Sequence, residues 1–264
     1  MFELLILALL ASSAAGIWDL KTTEVPDEIP ALMIAAGLFY WTIHWLSTGN
    51  LMPLAFSVVL GSLILLIGLI LYKKKQWGAA DAWIFAAIFY MLPSFGFFAG
   101  YLINFFIVTI AYMVIYSLYI GLASKNVMNY FMDDIRTSWK YVALIPALFA
   151  AAIAGFSFAV SEFSLITSPS FAGILLIIFL MSLFWRYGVV IEKRVFRKRV
   201  STKDLKPGDV IEGGAWKGLT KDEIKKTRVK KKYVVIKEGI RFVPVFPITL
   251  AITAAFGTIM PFVW

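Results

Sequence analysis

The chain has 264 residues, 61% of them hydrophobic, and carries 25 Lys and Arg against 16 Asp and Glu. A soluble domain is about 45–50% apolar, so this excess points to a polytopic membrane protein. With no cysteine and a single histidine, disulfides, thiolate catalysis, Cys-ligated zinc and His-cluster metal sites are excluded, leaving chiefly carboxylates, lysines, tyrosines and hydroxyls to carry any chemistry.

Apolar runs predict about eight spans, at roughly 2–20, 29–48, 51–72, 77–93, 97–122, 141–160, 170–191 and 242–262. The start at 2–17 is signal-like but lacks a basic n-region, so it reads as a retained first helix. Between the first two spans lies Asp19-Leu20-Lys21-Thr22-Thr23-Glu24-Val25-Pro26-Asp27-Glu28. Pro26 breaks the helix there and biases Val25 to extended geometry. His44, between Trp41 and Trp45, reads as an interfacial or packed side chain. Gly61 and Gly68 in the third span permit close helix contact. Next come Lys73 to Lys75 and Gly78-Ala79-Ala80-Asp81, where small residues leave room for an extended backbone to approach.

Asn104 offers an interhelical hydrogen bond inside the fifth span. In 124–140, Phe131, Ile135 and Trp139 repeat at helical spacing, which predicts an interfacial amphipathic helix with Asp133 and Asp134 toward solvent. Residues 192–241, with Arg186, hold 18 basic and seven acidic side chains. Within this block Lys206-Pro207-Gly208-Asp209 reads as a turn and Val210-Ile211 as a short strand. Thr220 to Glu223 reads as a capped helix start, and Tyr233 to Ile236 as a strand before a turn at Lys237-Glu238-Gly239. About 50 residues are marginal as an independent domain, so this block is expected to pack against the membrane unit, its basic surface either held near anionic headgroups or contacting substrate.

The charges then sort by loop. All Lys and Arg fall on one set of connections, with Lys21, Lys73 to Lys75, Lys125, Arg136, Lys140, Arg186 and the 192–241 block; 49–50, 94–96 and 161–169 have none. By the positive-inside bias the basic side is cytoplasmic and both termini are outside. The expected fold is therefore an all-α polytopic membrane protein with a small cytoplasmic α+β insertion before the last helix. It comprises a membrane unit at 1–191, the basic block at 192–241 and a last helix at 242–264.

Asp19 and Asp81 stand at the ends of apolar spans on that same side. A carboxylate at a membrane boundary costs several kcal/mol, so each is a functional candidate. Singly, Asp19 reads as a helix end and Asp81 as an N-cap. Together they suggest a catalytic pair, because two carboxyl groups in one low-dielectric site cannot both ionise cheaply. The anion can take a proton from water while the neutral acid polarises a peptide carbonyl. No covalent intermediate is needed.

Asp19-x-Lys21-x-x-x-Val25-Pro26-Asp27 resembles an element of the type IV prepilin peptidases and archaeal preflagellin peptidases. Gly78-Ala79-Ala80-Asp81 resembles their G-x-G-D motif, and Gly239-Ile240-Arg241-Phe242-Val243-Pro244-Val245-Phe246 the entry to their last span. The resemblance implies a membrane aspartic endopeptidase that removes basic leader peptides from pilin or archaellin precursors at the cytoplasmic face of the cell membrane. It implies Asp19 and Asp81 as the catalytic pair and no metal or other cofactor. Ala80 departs from the second glycine and Arg241 from a frequent proline. The cysteine-based zinc module and N-methylation activity of bacterial members are absent, which favours an archaeal-type, protease-only relative.

Lys21, Glu24, Asp27, Glu28, Gly78 and Ala80 are the candidate substrate-binding residues. The acidic three are placed to pair with a leader's lysines or arginines, or else are ordinary helix-start charges. Two further readings stay open. One is a presenilin or signal-peptide-peptidase relative, whose first aspartate usually follows tyrosine whereas Trp18 precedes Asp19 here. The other is an ion-coupled carrier using membrane carboxylates as cation sites.

Overall fold

A computed structural model describes residues 2–124, 126–160, 164–212, 218–237 and 239–259. Each predicted apolar run is helical in it: α1 (Phe2–Thr22), α2 (Glu28–Thr48), α3 (Met52–Lys73), α4 (Ala79–Met91), α5 (Phe95–Ala123), α6 (Val127–Ala159), the single turn α7 (Ser164–Thr167), α8 (Pro169–Ile191), and, beyond the polar block, α10 (Val245–Phe256). Six of these are long and apolar enough to cross a membrane. The helices α4 and α10 are apolar but shorter. Lys125, Glu238 and the end of the 242–262 run lie outside the described residues.

The helices form two compact units. One comprises residues up to Tyr112 together with those from Gly239 onward, and the other runs from Met113 to Glu238. In the first, α4 is the core, and every residue from Ile84 to Leu92 is buried. Glycines on α2 and α3 let it approach so closely. A Cβ on Gly37 would sit 2.6 Å from the Tyr90 carbonyl oxygen, and one on Gly68 only 2.7 Å from Ala82 Cβ.

A short buried helix leaves its last carbonyls without intrahelical donors and without water. Neighbouring side chains supply the donors. Ser57 Oγ donates to the Tyr90 carbonyl at 2.6 Å and Trp41 Nε1 to that of Met91 at 3.1 Å. Asn104 acts as its sequence position suggests, donating to Thr253 Oγ1 at 2.9 Å and accepting from the Ile259 N–H at 2.8 Å. His44 packs edge-on against Trp41.

In the second unit, two expectations need correction. The 124–140 stretch is not a separate interfacial helix, because residues from Val127 continue unbroken through the next span as the 33-residue α6, about 50 Å long. Nor does Asp134 face solvent. Arg186 of α8 grips it through Nε–Oδ2 at 2.8 Å and Nη2–Oδ1 at 2.6 Å, and also donates to Ser138 Oγ. A bidentate guanidinium pair is strong enough to draw the carboxylate toward the helix contact.

The polar block carries β1 (Arg197–Ser201) antiparallel to β2 (Tyr233–Lys237), with Arg197 opposite Lys237 and Ser201 opposite Tyr233. Its helix α9 (Lys221–Lys230) starts with the expected capping box between Thr220 and Glu223. The predicted strand at Val210-Ile211 is a single bridge from Ile211 to Ile236. Leu205, Ile224, Val234 and Ile236 form a small core of their own.

The glycine contacts in the first unit set a stability expectation. Gly37→Ala drives a methyl into the backbone of α4 and is expected to cost about 1–3 kcal/mol as overpacking. A lower thermal midpoint in detergent checks it, with Gly155→Ala, where nothing lies within 4 Å of a new Cβ, showing no such loss.

Candidate active site

Asp19 is buried because it continues the inward stripe of α1. Leu4, Ala8, Ser12, Ala15, Gly16 and Asp19 recur at helical spacing, and all are buried. The small residues in that stripe let α10 close on it, so that a Cβ on Gly16 would lie 3.2 Å from Pro244 Cα. The helix runs only to Thr22, where Thr23 turns left-handed (φ 62°) and its N–H caps the Asp19 carbonyl at 2.9 Å. Asp19 thus occupies the last turn of α1, and its side chain is 7% exposed.

Asp81 lies in the first turn of α4 and is 8% exposed. It is not the N-cap. That place is held by Gly78, whose extended backbone (φ −75°, ψ 158°) turns its N–H onto Asp81 Oδ2 at 2.9 Å. A Cβ at Gly78 would stand 3.0 Å from the same oxygen, so the absence of a side chain there keeps this hydrogen bond uncrowded.

Asp19 is held in a matching way. Its Oδ2 accepts the backbone N–H of Val243 at 3.2 Å, from the segment that leads into α10. In both carboxyl groups the second oxygen has no hydrogen-bond partner among the described residues. The two groups are near enough for the charge of Asp19 to act on Asp81, and the Arg241 guanidinium acts on Asp19. Among the described residues no group of three or more His, Cys, Asp or Glu could hold a metal ion.

The segments that supply these two N–H donors are joined by rings. Trp77, just before Gly78, packs against Phe242, just before Val243, with centroids 6.0 Å apart. It also meets Phe85, Phe105 and Phe246. Those three stack on one another at 4.8 to 5.6 Å. Such pairs contribute about 0.5–1.5 kcal/mol each beyond their buried area.

Arg241 locks the same segment from its other side. Its Nη1 donates to the Leu20 carbonyl at the end of α1, while its own carbonyl accepts from Tyr112 Oη at 2.5 Å. This gives a physical role to the residue that departs from the resembled motif.

The other candidate residues divide. Lys21, Glu24, Asp27 and Glu28 are exposed, around and within the loop joining α1 and α2. None of them makes an ion pair with a described residue, and Asp27, although the N-cap of α2, forms no side-chain cap. Ala80 is different, as its methyl packs against the apolar core. Trp77, Phe242 and the Val243 N–H escape the sequence reading of individual residues. The Gly239 to Phe246 motif signals Phe242 and Val243 but not Trp77, and a backbone donor leaves no side-chain signature.

Residues 4–121 match the type IV leader peptidase family. The match covers Asp19, Asp81 and all the exposed charges just described. No curated protein and no solved structure gives a match.

The Arg241 lock generates an expectation for peptide cleavage, the activity of the matched family. Arg241→Met frees the segment carrying the Val243 N–H and is expected to reduce peptide cleavage up to about 100-fold, the scale of a 1 Å misplacement. Arg241→Lys, which keeps a donor and the charge, restores part of the rate when initial cleavage rates are compared at equal folded protein.

Proposed function

From the match of residues 4–121 to the type IV leader peptidase family, we propose that the protein is a membrane aspartic endopeptidase that removes basic leader peptides from pilin-like or archaellin-like precursors. Asp19 and Asp81 form the catalytic pair. The observation that carries this reading is the symmetry of their seating: each is buried, and each gives one oxygen to a backbone N–H.

The chemistry follows from that seating. Two full charges so close in an apolar bundle are costly, so one carboxyl keeps a proton while the other is anionic. The anion takes a proton from a water bound between the free oxygens, and that water attacks the scissile carbonyl. The neutral acid donates a hydrogen bond to the carbonyl oxygen as it gains charge. The tetrahedral intermediate then collapses, the C–N bond breaks, and the departing amine receives a proton from the pair. The backbone donors of Gly78 and Val243 fix both carboxyl groups in place without competing for the water.

Substrate recognition uses the exposed loop. Glu24, Asp27 and Glu28 are free to pair with lysines or arginines ahead of the cleavage point, and charge-assisted hydrogen bonds contribute about 1.5–3 kcal/mol each. Lys21, exposed in the last turn of α1, stands three residues before Glu24 at the entry to this acidic loop. Gly78 leaves no side-chain bulk beside Asp81 where the peptide backbone passes, and Ala80 keeps its methyl on the core.

The positive-inside charge pattern supports placing the site at the cytoplasmic face of the cell membrane, with lipids around the spans. The lack of cysteine supports an archaeal-type, protease-only member. The family match favours this reading over a presenilin-like protease or an ion-coupled carrier.

Incubating a panel of leader-bearing precursors with purified membranes and sequencing the new N-termini tests the proposal. Wild type is expected to cut once, just after the leader's basic residues. Asp19→Asn and Asp81→Asn are each expected to slow cleavage at least about 100-fold, the lower end of general acid–base contributions. Near-normal cleavage by either variant overturns the pair. In the same assay, Glu24→Lys with Glu28→Lys is expected to raise KM for basic leaders while kcat stays close to wild type.

A further inference from the structure

The most exposed large apolar side chain among the described residues lies outside every apolar span. It is Val229 of α9, 89% exposed. Lys225 and Lys226 lie one turn before it, and Lys230, Lys231 and Lys232 follow directly. Residues 221–232 hold seven cations against Asp222 and Glu223 alone.

Most of this charge is uncommitted. Glu223 is used in the cap with Thr220, and Asp222 makes only a long contact with Lys225 at 3.9 Å. Arg228 turns inward and donates to the carbonyls of Thr202 and Lys203, and Ile224 enters the small core on that same side. On the opposite side of α9, Lys226 and Lys230 flank Val229, all exposed and without an ion pair to any described residue.

The chain geometry sets the height of this face. Strand β1 begins at Arg197, directly after the candidate span Pro169–Phe196. The turn between them is braced by Glu192 Oε1, which accepts from Arg197 Nη2 and Lys237 Nζ, each at 3.1 Å. Arg194 lies over the Tyr130 ring of α6 at 4.0 Å. A five-residue strand reaches only about 17 Å, so α9 stays within roughly two Debye lengths of the bilayer surface.

We infer that the outer face of α9 docks on anionic phospholipid headgroups, with Val229 entering the interface and Lys226, Lys230, Lys231 and Lys232 meeting the lipid phosphates. An apolar side chain ringed by uncommitted lysines matches an anionic bilayer surface in both chemistry and charge. A basic leader is repelled by this face, so it is not a substrate site. The inference goes beyond the proposed peptidase reading and does not depend on it.

Because the chain has no cysteine, Val229→Cys gives one labelling site for a polarity-sensitive fluorophore. The labelled full-length protein is placed in nanodiscs of phosphatidylcholine alone or with phosphatidylglycerol. A blue shift is expected in the anionic discs, reversed by high salt and lost in Lys226→Glu/Lys230→Glu and, more weakly, in Lys226→Gln/Lys230→Gln. Hydrogen exchange at the β2 amides verifies that both variants keep the domain folded. Identical emission in the two disc types overturns the inference, as does a shift insensitive to charge reversal. A shift seen only on adding an acidic polypeptide or RNA also overturns it, by assigning the face to a different partner.

Discussion

Two carboxyl groups buried in an apolar bundle need hydrogen-bond donors, and in this protein the donors are backbone N–H groups held in place by aromatic packing. Gly78 serves Asp81 and Val243 serves Asp19. These residues are far apart in sequence, yet Trp77 and Phe242, one position ahead of each, are in ring contact. The stacked Phe85, Phe105 and Phe246 extend that contact into the core. An unpaired buried charge is among the costliest features a fold can carry. The surrounding architecture follows from avoiding it, from the glycine-lined seat of α4 to the Arg241 link between α1 and the entry to α10.

That seat also explains why the pair occupies helix ends. In the middle of a helix the backbone N–H groups are already bonded within the helix, and none is left for a side chain. Asp81, in a first turn, can reach back to the N–H of its own cap. Asp19, in a last turn, cannot, so its donor comes from the segment before α10. The structure thus uses a local hydrogen bond for one aspartate and a long-range one for the other, and the second requires Arg241, Tyr112 and the ring cluster to fix the donating strand.

Much of this was legible in the sequence wherever one residue or one period carried the information. The apolar runs marked the helices, the break at Pro26 marked the end of the Asp19 segment, and Asn104 announced an interhelical bond. What the sequence hid was long-range. Nothing local links Val243 to Asp19 or Trp77 to Phe242. The pairing of Asp134 with Arg186 was missed because helical periodicity put the acid on a polar face without naming a partner on another helix. The strand at Arg197–Ser201 was missed because its Arg-Lys-Arg start has no alternating apolar pattern. Ala80 departs from the resembled motif in sequence, and in the fold its methyl packs on the core.

The central claim is that Asp19 and Asp81 work as one water-activating unit, and a double-mutant cycle on kcat tests it most directly. Groups that act together lose most of their effect when either is removed, so their losses do not multiply. With a single defined leader-bearing substrate and membranes matched for folded protein, the account predicts that Asp19→Asn/Asp81→Asn is no slower than the slower single variant. A double variant whose loss equals the product of the two single losses would show two independent contributions and contradict a shared catalytic pair.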